Sequence, residues 1–376
     1  MKNRQALLLS CFMLRGYGVS VVADELQRRL RHWGWDLHVG YLEADDFGRA
    51  SSRLFMPADE TEIFHYCIRN KIEIVIAQTS PYFEVLPQLA SSIPVVCFEH
   101  GDPTPEFFRE EMADREESKK FKLEMVYPHV NEVWTISEFL RHDIGWMQAR
   151  VIPNGADHVS RMRKRAIGYG DKIRVGFLAR LGQLESEYKG NDVLLALAKR
   201  FGDEERIEFT VMGRGSVEDA ELFEEQGISV ALNASDAERD RFLENIDVFF
   251  SASRWEGFNL PLVEAQHAGC AAMAFDVGAH PETTPYVLNS IDEAETLLKH
   301  WLEDRDALRE AGDRCQRFVG EKFSWDRTTE LFASAIEDVI LRGGSGSSVY
   351  RRVRLLIRRY GVVGVVRRVI RKAMRR

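Results

Sequence analysis

Two separate stretches of this 376-residue chain alternate short, β-branched apolar runs with helical segments, and that double alternation leaves few folds open. In the first stretch, ALLLSCF is followed by VSVVADELQRRLRHWG and DLHVGYL, and later by IEIVIAQ, IPVVCFEH and EVWTIS. Strands alternating with helices imply a parallel sheet covered on both faces. Near residue 150, RVIPNGAD leads into a charged connector, SRMRKRAIGYGDK. A second alternation then opens with KIRVGFLARLG and continues through GNDVLLALAKRF, IEFTVMGRG, ISVAL, IDVFFSAS and CAAMAFDV. The length also exceeds that of one ordinary domain. The expected fold is α/β, with two units of similar size at residues 1–155 and 170–325, a helix at 326–342, and a linker and tail at 343–376. No repeat of about 20 to 50 residues is present, which excludes a solenoid. Ligands in such sheets bind beyond the C-terminal strand ends, and two facing domains supply a cleft.

Composition places the chain among globular proteins with ample core material, at 45% hydrophobic and 29% charged. No apolar run approaches the roughly 20 residues that span a bilayer. The opening MKNRQALLLSCFMLRGYG has the basic start and apolar run of a signal peptide, but it lacks a small-residue cleavage site and reads as a first strand and its loop. Five scattered cysteines form no CxxC pair or zinc spacing, which favours a reduced, cytoplasmic setting. Charge is uneven: residues 343–376 carry +11, leaving residues 1–342 at about −19 within a whole-chain charge of −8. An acidic body is not the profile of a nucleic-acid-binding domain. The basic tail, VYRRVRLLIRRYGVVGVVRRVIRKAMRR, places Val349, Val353, Leu356 and Tyr360, then Val362, Val366, Val369 and Ala373, at helical spacing among arginines. A cationic amphipathic segment of this kind suits an anionic membrane surface, at about 1 kcal/mol per basic residue close to it. A helix docked on the acidic body and nonspecific RNA binding are the rival readings.

The segment richest in chemistry is SRWEGFNLPLVEAQHAG, residues 253–269. It follows the continuous apolar strand IDVFFSAS, so SRWEGFNL is the loop at that strand's C-terminal end. A helix then starts with proline in its first turn and stops at Gly269. Glu256 sits on the loop and Glu264 on the helix, with the unpaired N–H groups of Gly257, Phe258, Asn259 and Leu260 between them. Such a helix end attracts phosphate, and Gly257 lets a ligand approach the backbone. An acid pair at this spacing, taken alone, is equally a solvent-facing helix start.

Here the sequence resembles the retaining glycosyltransferases of the GT-B fold, family 4, in which an acidic residue, Gly-Phe-Asn/Gly-Leu-Pro and a second Glu recur as in EGFNLPLVEA. FLARL followed by YKG, VMGRG, VIPNGAD and FEHG agree in order, over roughly residues 5–340. The resemblance implies two facing Rossmann-like domains, an N-terminal one for the acceptor and a C-terminal one for a nucleotide sugar, with the last helix crossing back. It implies that Glu264 accepts hydrogen bonds from ribose hydroxyls and that Glu256 touches the transferred sugar. Arg180 and Lys189 would neutralise the departing diphosphate, although Glu185 and Glu187 between them dilute the positive field. His100, at the end of IPVVCFEH, would face the donor sugar. Gly213 and Gly215 would lie near the base and ribose. Tyr17 separates Gly16 and Gly18 where the family shows adjacent glycines; Gly18 is favoured for the donor, and a turn requiring positive φ explains the pair equally well. Ser137 and Glu138 read as a helix N-cap and first-turn acid without a catalytic part.

The expected activity is transfer of a sugar from a nucleoside-diphosphate sugar to a glycan or lipid-linked acceptor, with retention, in cell-surface polysaccharide or glycolipid synthesis. No cofactor is expected, and no metal, since the nearest acidic pair, Asp45-Asp46, is adjacent in a loop. The expected location is the cytoplasmic face of the membrane. An epimerase on the same fold and a silent sugar-nucleotide-binding protein stay open. A dinucleotide oxidoreductase would need a third glycine that both G-x-G sites lack, and a glycosidase using Glu256 and Glu264 would not need the phosphate-binding cations.

Overall fold

The computed structural model describes residues 3–46, 48–49, 53–159 and 167–344. The membrane-binding tail expected at 349–376, and most of the charged connector, lie outside them. Two wholly parallel sheets organise the chain. The first has β1 (Arg4–Met13), β2 (Trp35–Ala44), β3 (Arg53–Phe55), β4 (Ile74–Ala77), β5 (Val95–Glu99), β6 (Glu132–Thr135) and β7 (Arg150–Val151), in the order β3-β2-β1-β4-β5-β6-β7. The second has β8 (Ile173–Arg180), β9 (Ile207–Arg214), β10 (Ser229–Leu232), β11 (Val248–Ser251), β12 (Ala271–Phe275) and β13 (Val287–Leu288), in the order β10-β9-β8-β11-β12-β13. Each sheet therefore reverses its winding once, between β1 and β4 and between β8 and β11. Those switch points open crevices at the C-terminal strand ends.

Helices α1 (Gly18–Arg29), α2 (Glu60–Asn70), α3 (Tyr82–Leu89), α4 (Met112–Phe121) and α5 (Glu138–Asp143) serve the first sheet. The second carries α6 (Gln183–Lys189), α7 (Asn191–Arg200), α8 (Val217–Glu224), α9 (Asp236–Asn245), α10 (Leu260–His267), α11 (His280–Thr283), α12 (Ile291–Glu303) and α13 (Arg305–Lys322). The last helix, α14 (Trp325–Gly344), leaves the second domain and packs on α1. Its buried stripe of Phe332, Ala335, Ile336 and Val339 repeats at helical spacing. The central strands are apolar without interruption because both faces are covered: β4 and β5 are buried at every position.

The two domains share apolar packing. Trp255, Phe258, Leu260 and Val263 of the second domain lie in one cluster with Phe98, Trp134, Ile136 and Leu140 of the first, joined by Phe323, Trp325 and Phe332. Polar clasps add direction. Ser137 Oγ caps α5 by accepting from Leu140 N at 3.0 Å, and donates across the junction to Gly257 O at 2.6 Å. The Glu282 carboxylate accepts from the backbone N–H groups of Glu138 and Phe139 at 2.9 and 2.6 Å. Ser137 is thus an N-cap, as its sequence reads, and also a bridge, which its sequence does not reveal.

A buried ionic cluster holds the loop after β5. Lys122, on a single π-helical turn (Lys122–Val126), places Nζ 3.0 Å from Glu99 Oε1 and 2.7 Å from Asp102 Oδ2. Tyr127 donates its hydroxyl to Glu99 at 2.7 Å. Burial opposes the Lys122 charge, but Glu99 and Asp102 together hold its ammonium well above the usual lysine range. The cluster straddles His100 and so fixes that residue. Replacing Lys122 by Met leaves two acids unpaired, one of them fully enclosed, and is expected to cost about 3–5 kcal/mol in urea denaturation.

Candidate donor-binding site

The second switch point gathers most of the residues singled out from sequence. β11 ends at Ser251, the loop 252–259 turns over the sheet, and α10 begins at Leu260 with Pro261 in its first turn. Asn259 takes the left-handed conformation, φ 63° and ψ 71°, and its carbonyl Oδ1 accepts from Leu262 N at 3.2 Å. Its amide donates to Ser251 Oγ and to His280 Nε2, both at 2.8 Å. His280 donates from Nδ1 to Phe275 O at 2.9 Å, so its Nε2 is the acceptor. The Asn259 side chain is therefore spent on building the corner, while Phe258 and Leu260 point into the shared core. What these residues offer a ligand is backbone: among the described residues the N–H groups of Gly257, Phe258, Asn259 and Leu260 have no protein partner. The α10 dipole adds its positive end there. The junction itself requires Gly257, since a Cβ there would lie 2.8 Å from His100 O of the first domain.

Glu256 is buried beside this corner. Lys189 Nζ donates to its Oε1 at 2.7 Å and Ser253 Oγ to the same oxygen at 2.8 Å. Its backbone carbonyl accepts from Ala279 N at 2.9 Å. Burial pushes the Glu256 carboxyl up, but Lys189, followed by His280 and Ser253, outweighs it and holds the group below its ordinary value. Lys189 ends α6, and Gly190 turns the chain into α7. Arg180, at the end of β8, pairs with Glu185. Of the two acids expected to weaken the positive field, Glu185 pairs directly with Arg180, whereas the Glu187 side chain is exposed and its backbone carbonyl accepts from Arg254.

Across the cleft, the turn after β1 meets both arginine-bearing strands. The Tyr17 ring lies 4.6 Å from Arg180 Cζ and 5.0 Å from Arg214 Cζ, and Arg214 donates to Arg15 O at 2.7 Å. Cation–π contacts of this kind are worth about 0.5–2 kcal/mol each. The left-handed conformation falls on Gly16, φ 79°, whereas Gly18 simply opens α1 in open space. The positive-φ explanation thus applies to Gly16 and not to Gly18. Tyr17 is itself the N-cap of α1, with no side chain bonded to the helix's free N–H groups.

His100 follows β5, its ring 4.5 Å from Phe98. Burial pushes its imidazole down to about 3, so it is neutral near pH 7. Its Nε2 is buried without a protein partner. Glu264, on α10, is also buried, with His158 Nε2 at 2.9 Å from Oε1. Gly213 is not open to the cleft: a Cβ there would lie 2.5 Å from Leu181, so its lack of a side chain serves packing between β8 and β9. Gly215 is tied to Asn233 by a pair of hydrogen bonds at 3.3 and 2.9 Å. Lys189, Glu256 and the α10 amides are therefore brought together, with His100 abutting them from the other domain. His158, His280 and Glu282 escaped the sequence reading because their partners are distant in the chain; Ser253 and Arg214 lie inside the quoted segments, but nothing in the residue pattern singles out the contacts they make. Among the described residues, no group of three or more His, Cys, Asp or Glu is arranged to hold a metal ion.

The pair at the loop makes a signed prediction. Because the folded Glu256 carboxyl lies below its unfolded value of 4.5, it adds stability above that pH that is lost as the pH falls below it. Lys189→Met leaves burial to act on the carboxyl, raising it, so that stability is instead lost as pH climbs from about 4 toward 7. Thermal melts from about pH 3 to 7 should show this contribution falling away in the native protein only below about 4.5, and in the variant falling away as the pH climbs above it.

Comparison with known proteins agrees with this architecture. Residues 172–303 match the family described as Glycosyl transferases group 1. The MMP alpha-(1->4)-mannosyltransferase of Mycolicibacterium hassiacum is 28% identical over 220 residues, covering 52% of this chain and 49% of that protein. The chain thus spans about half the length of this curated relative. Sucrose-phosphate synthase from Thermosynechococcus elongatus superposes with a TM-score of 0.73 at 14% identity, over 90% of this chain and 100% of the other. Anabaena Alr3699/HepE, solved in complex with UDP and glucose, gives 0.72 at 14% identity over 89% and 100%. The fold is GT-B: two parallel-sheet α/β domains facing across a cleft, with the Glycosyl transferases group 1 match confined to the second.

Proposed function

We propose that this chain is a retaining glycosyltransferase of family 4, moving a sugar from a nucleoside-diphosphate sugar to a glycan or lipid-linked acceptor without a divalent metal. The observation that carries the reading is the convergence, at one switch point, of unpartnered α10 amides with the Lys189–Glu256 pair. Arg180 stands at the end of β8 within the same crevice. When the bond between the anomeric carbon and the β-phosphate oxygen breaks, its electron pair leaves with the diphosphate. Arg180, Lys189 and the α10 N-terminus meet that charge. Glu256 stays ionised at neutral pH and faces the sugar, whose ring gathers positive charge as the bond lengthens. Neutral His100 offers Nε2 to a sugar hydroxyl. Glu264 takes the ribose hydroxyls, and the Gly16–Gly18 turn and the Gly213–Gly215 loop flank the nucleotide. The acceptor oxygen adds to the anomeric carbon on the face the diphosphate leaves, and its proton passes to the departing phosphate. A closed cleft keeps water from taking the sugar instead.

A likeness to a mannosyltransferase and the basic segment at 349–376 support work at the cytoplasmic face of a membrane, in polysaccharide or glycolipid synthesis. No helix among the described residues is long and apolar enough to cross a bilayer, so attachment would be peripheral.

The test is a thermal-shift screen of UDP-, GDP-, ADP- and dTDP-sugars, followed by acceptor-dependent release of the nucleoside diphosphate. Lys189→Ala is expected to lower turnover by about 10²–10³-fold, and activity should persist in EDTA. Intact donor affinity and turnover in a Lys189→Ala, Glu264→Gln double variant would overturn the reading. Separately, the full chain should co-sediment with anionic phosphatidylglycerol vesicles and a chain ending at residue 342 should not.

A further inference from the structure

Glu264 is enclosed on α10, yet the resemblance that assigns it to ribose says nothing of what holds it. The structure supplies a chain of contacts. His158 Nε2 lies 2.9 Å from Glu264 Oε1, and the two side chains are only 6% and 5% exposed. On the other side of the ring, Trp325 Nε1 lies 3.0 Å from His158 Nδ1. An indole N–H can only donate, so Nδ1 must accept, and the single proton of a neutral imidazole sits on the Nε2 that faces Glu264. The approach to the carboxylate is oblique to the N–H direction, so charge–dipole attraction rather than a linear hydrogen bond carries it.

The support is rigid. Trp325 is the first residue of α14 and is fully buried. Its backbone N–H donates to Asp157 Oδ1 at 2.6 Å, so neighbouring residues 157 and 158 grip one tryptophan at two points. Gly155 passes so near that a Cβ would lie 2.3 Å from Trp325 N. Glu264 has no other close ionic partner among the described residues, Arg239 acting on it only through space. Without His158, a buried carboxylate would be left unpaired and free to rotate.

We infer that His158, in the tautomer set by Trp325, is a positioning residue that anchors Oε1 of Glu264 and thereby presents Oε2 to the vicinal hydroxyls of the donor ribose. This rests on the proposed role of Glu264. It also makes α14, which packs on the first domain, part of the nucleotide site of the second.

The experiment is isothermal titration of the full chain with UDP, GDP and ADP, each beside its 2′,3′-dideoxy form. For the nucleotide that binds, the dideoxy form should bind about tenfold more weakly to the native chain. His158→Ala should weaken the ordinary nucleotide about tenfold and leave the dideoxy form unchanged, so that the preference collapses. His158→Gln, which restores an N–H at the same reach, should recover most of it. Trp325→Phe, which keeps the packing but frees the tautomer, should show a reduced preference even if the alanine variant does not fold. A full ribose preference in His158→Ala or Trp325→Phe overturns the positioning role while the ribose reading stands. If the native chain and Glu264→Gln bind both forms alike, the ribose reading itself fails and takes this inference with it.

Discussion

A carboxylate enclosed at the tip of a strand is unaffordable unless a cation is enclosed with it, and the pairing of Glu256 with Lys189 meets that demand. The consequences spread outward. To bring Lys189 to Glu256, the chain after β8 forms the short helix α6 and turns at Gly190, where a Cβ would lie 2.0 Å from the carbonyl oxygen of Ala252. Arg254 then braces the same corner, donating to Asp192 and to the carbonyl of Glu187. Glu256 also anchors the loop before α11 through its own carbonyl. The loop conformation that leaves four backbone N–H groups unpaired is therefore maintained by the ionic contact beside it together with the Asn259 side chain.

The architecture was legible because it follows from local patterns. Continuous apolar runs such as IDVFFSAS and IPVVCFEH marked buried parallel strands, and Pro261 and Gly269 bracketed α10. The loop acids and α10 amides were legible for the same reason: strand, loop and helix start are contiguous. The supporting side chains were not. Asn259 reads as a backbone donor in one dimension, and nothing local shows that its side-chain amide is spent on Ser251 and on His280, the latter 21 residues away. His158 stands 106 positions before Glu264 and Trp325 a further 167 positions after His158. No periodicity encodes such meetings; the crossing of helices decides them. Gly213, which the resemblance puts near the base and ribose, also meets a packing demand that its motif does not reveal, since a Cβ there would lie 2.5 Å from Leu181.

The junction between domains combines greasy packing with backbone-directed polar contacts. Phe258 against Phe323 and Trp255 beneath Gly101 contribute area without strong direction. Ser137 and Glu282 contribute direction, since each addresses backbone groups that can be met in one orientation only. Glu282 satisfies N–H groups at the start of α5 that would otherwise be orphaned. This division of labour suits a cleft whose two walls must return to one alignment.

Arg180 is held between a carboxylate and an aromatic face: Glu185 engages one edge of its guanidinium while Tyr17 covers the plane. Such a group has already surrendered much of its hydration to the protein. An incoming phosphate on this arginine would not face the cost of stripping a freely hydrated cation; it would exchange places with Glu185, one anion for another. Binding strength would then depend on the contrast between two oxyanions rather than on the absolute attraction of either. Because Tyr17 belongs to the opposite wall, any change in the width of the cleft would alter that contrast.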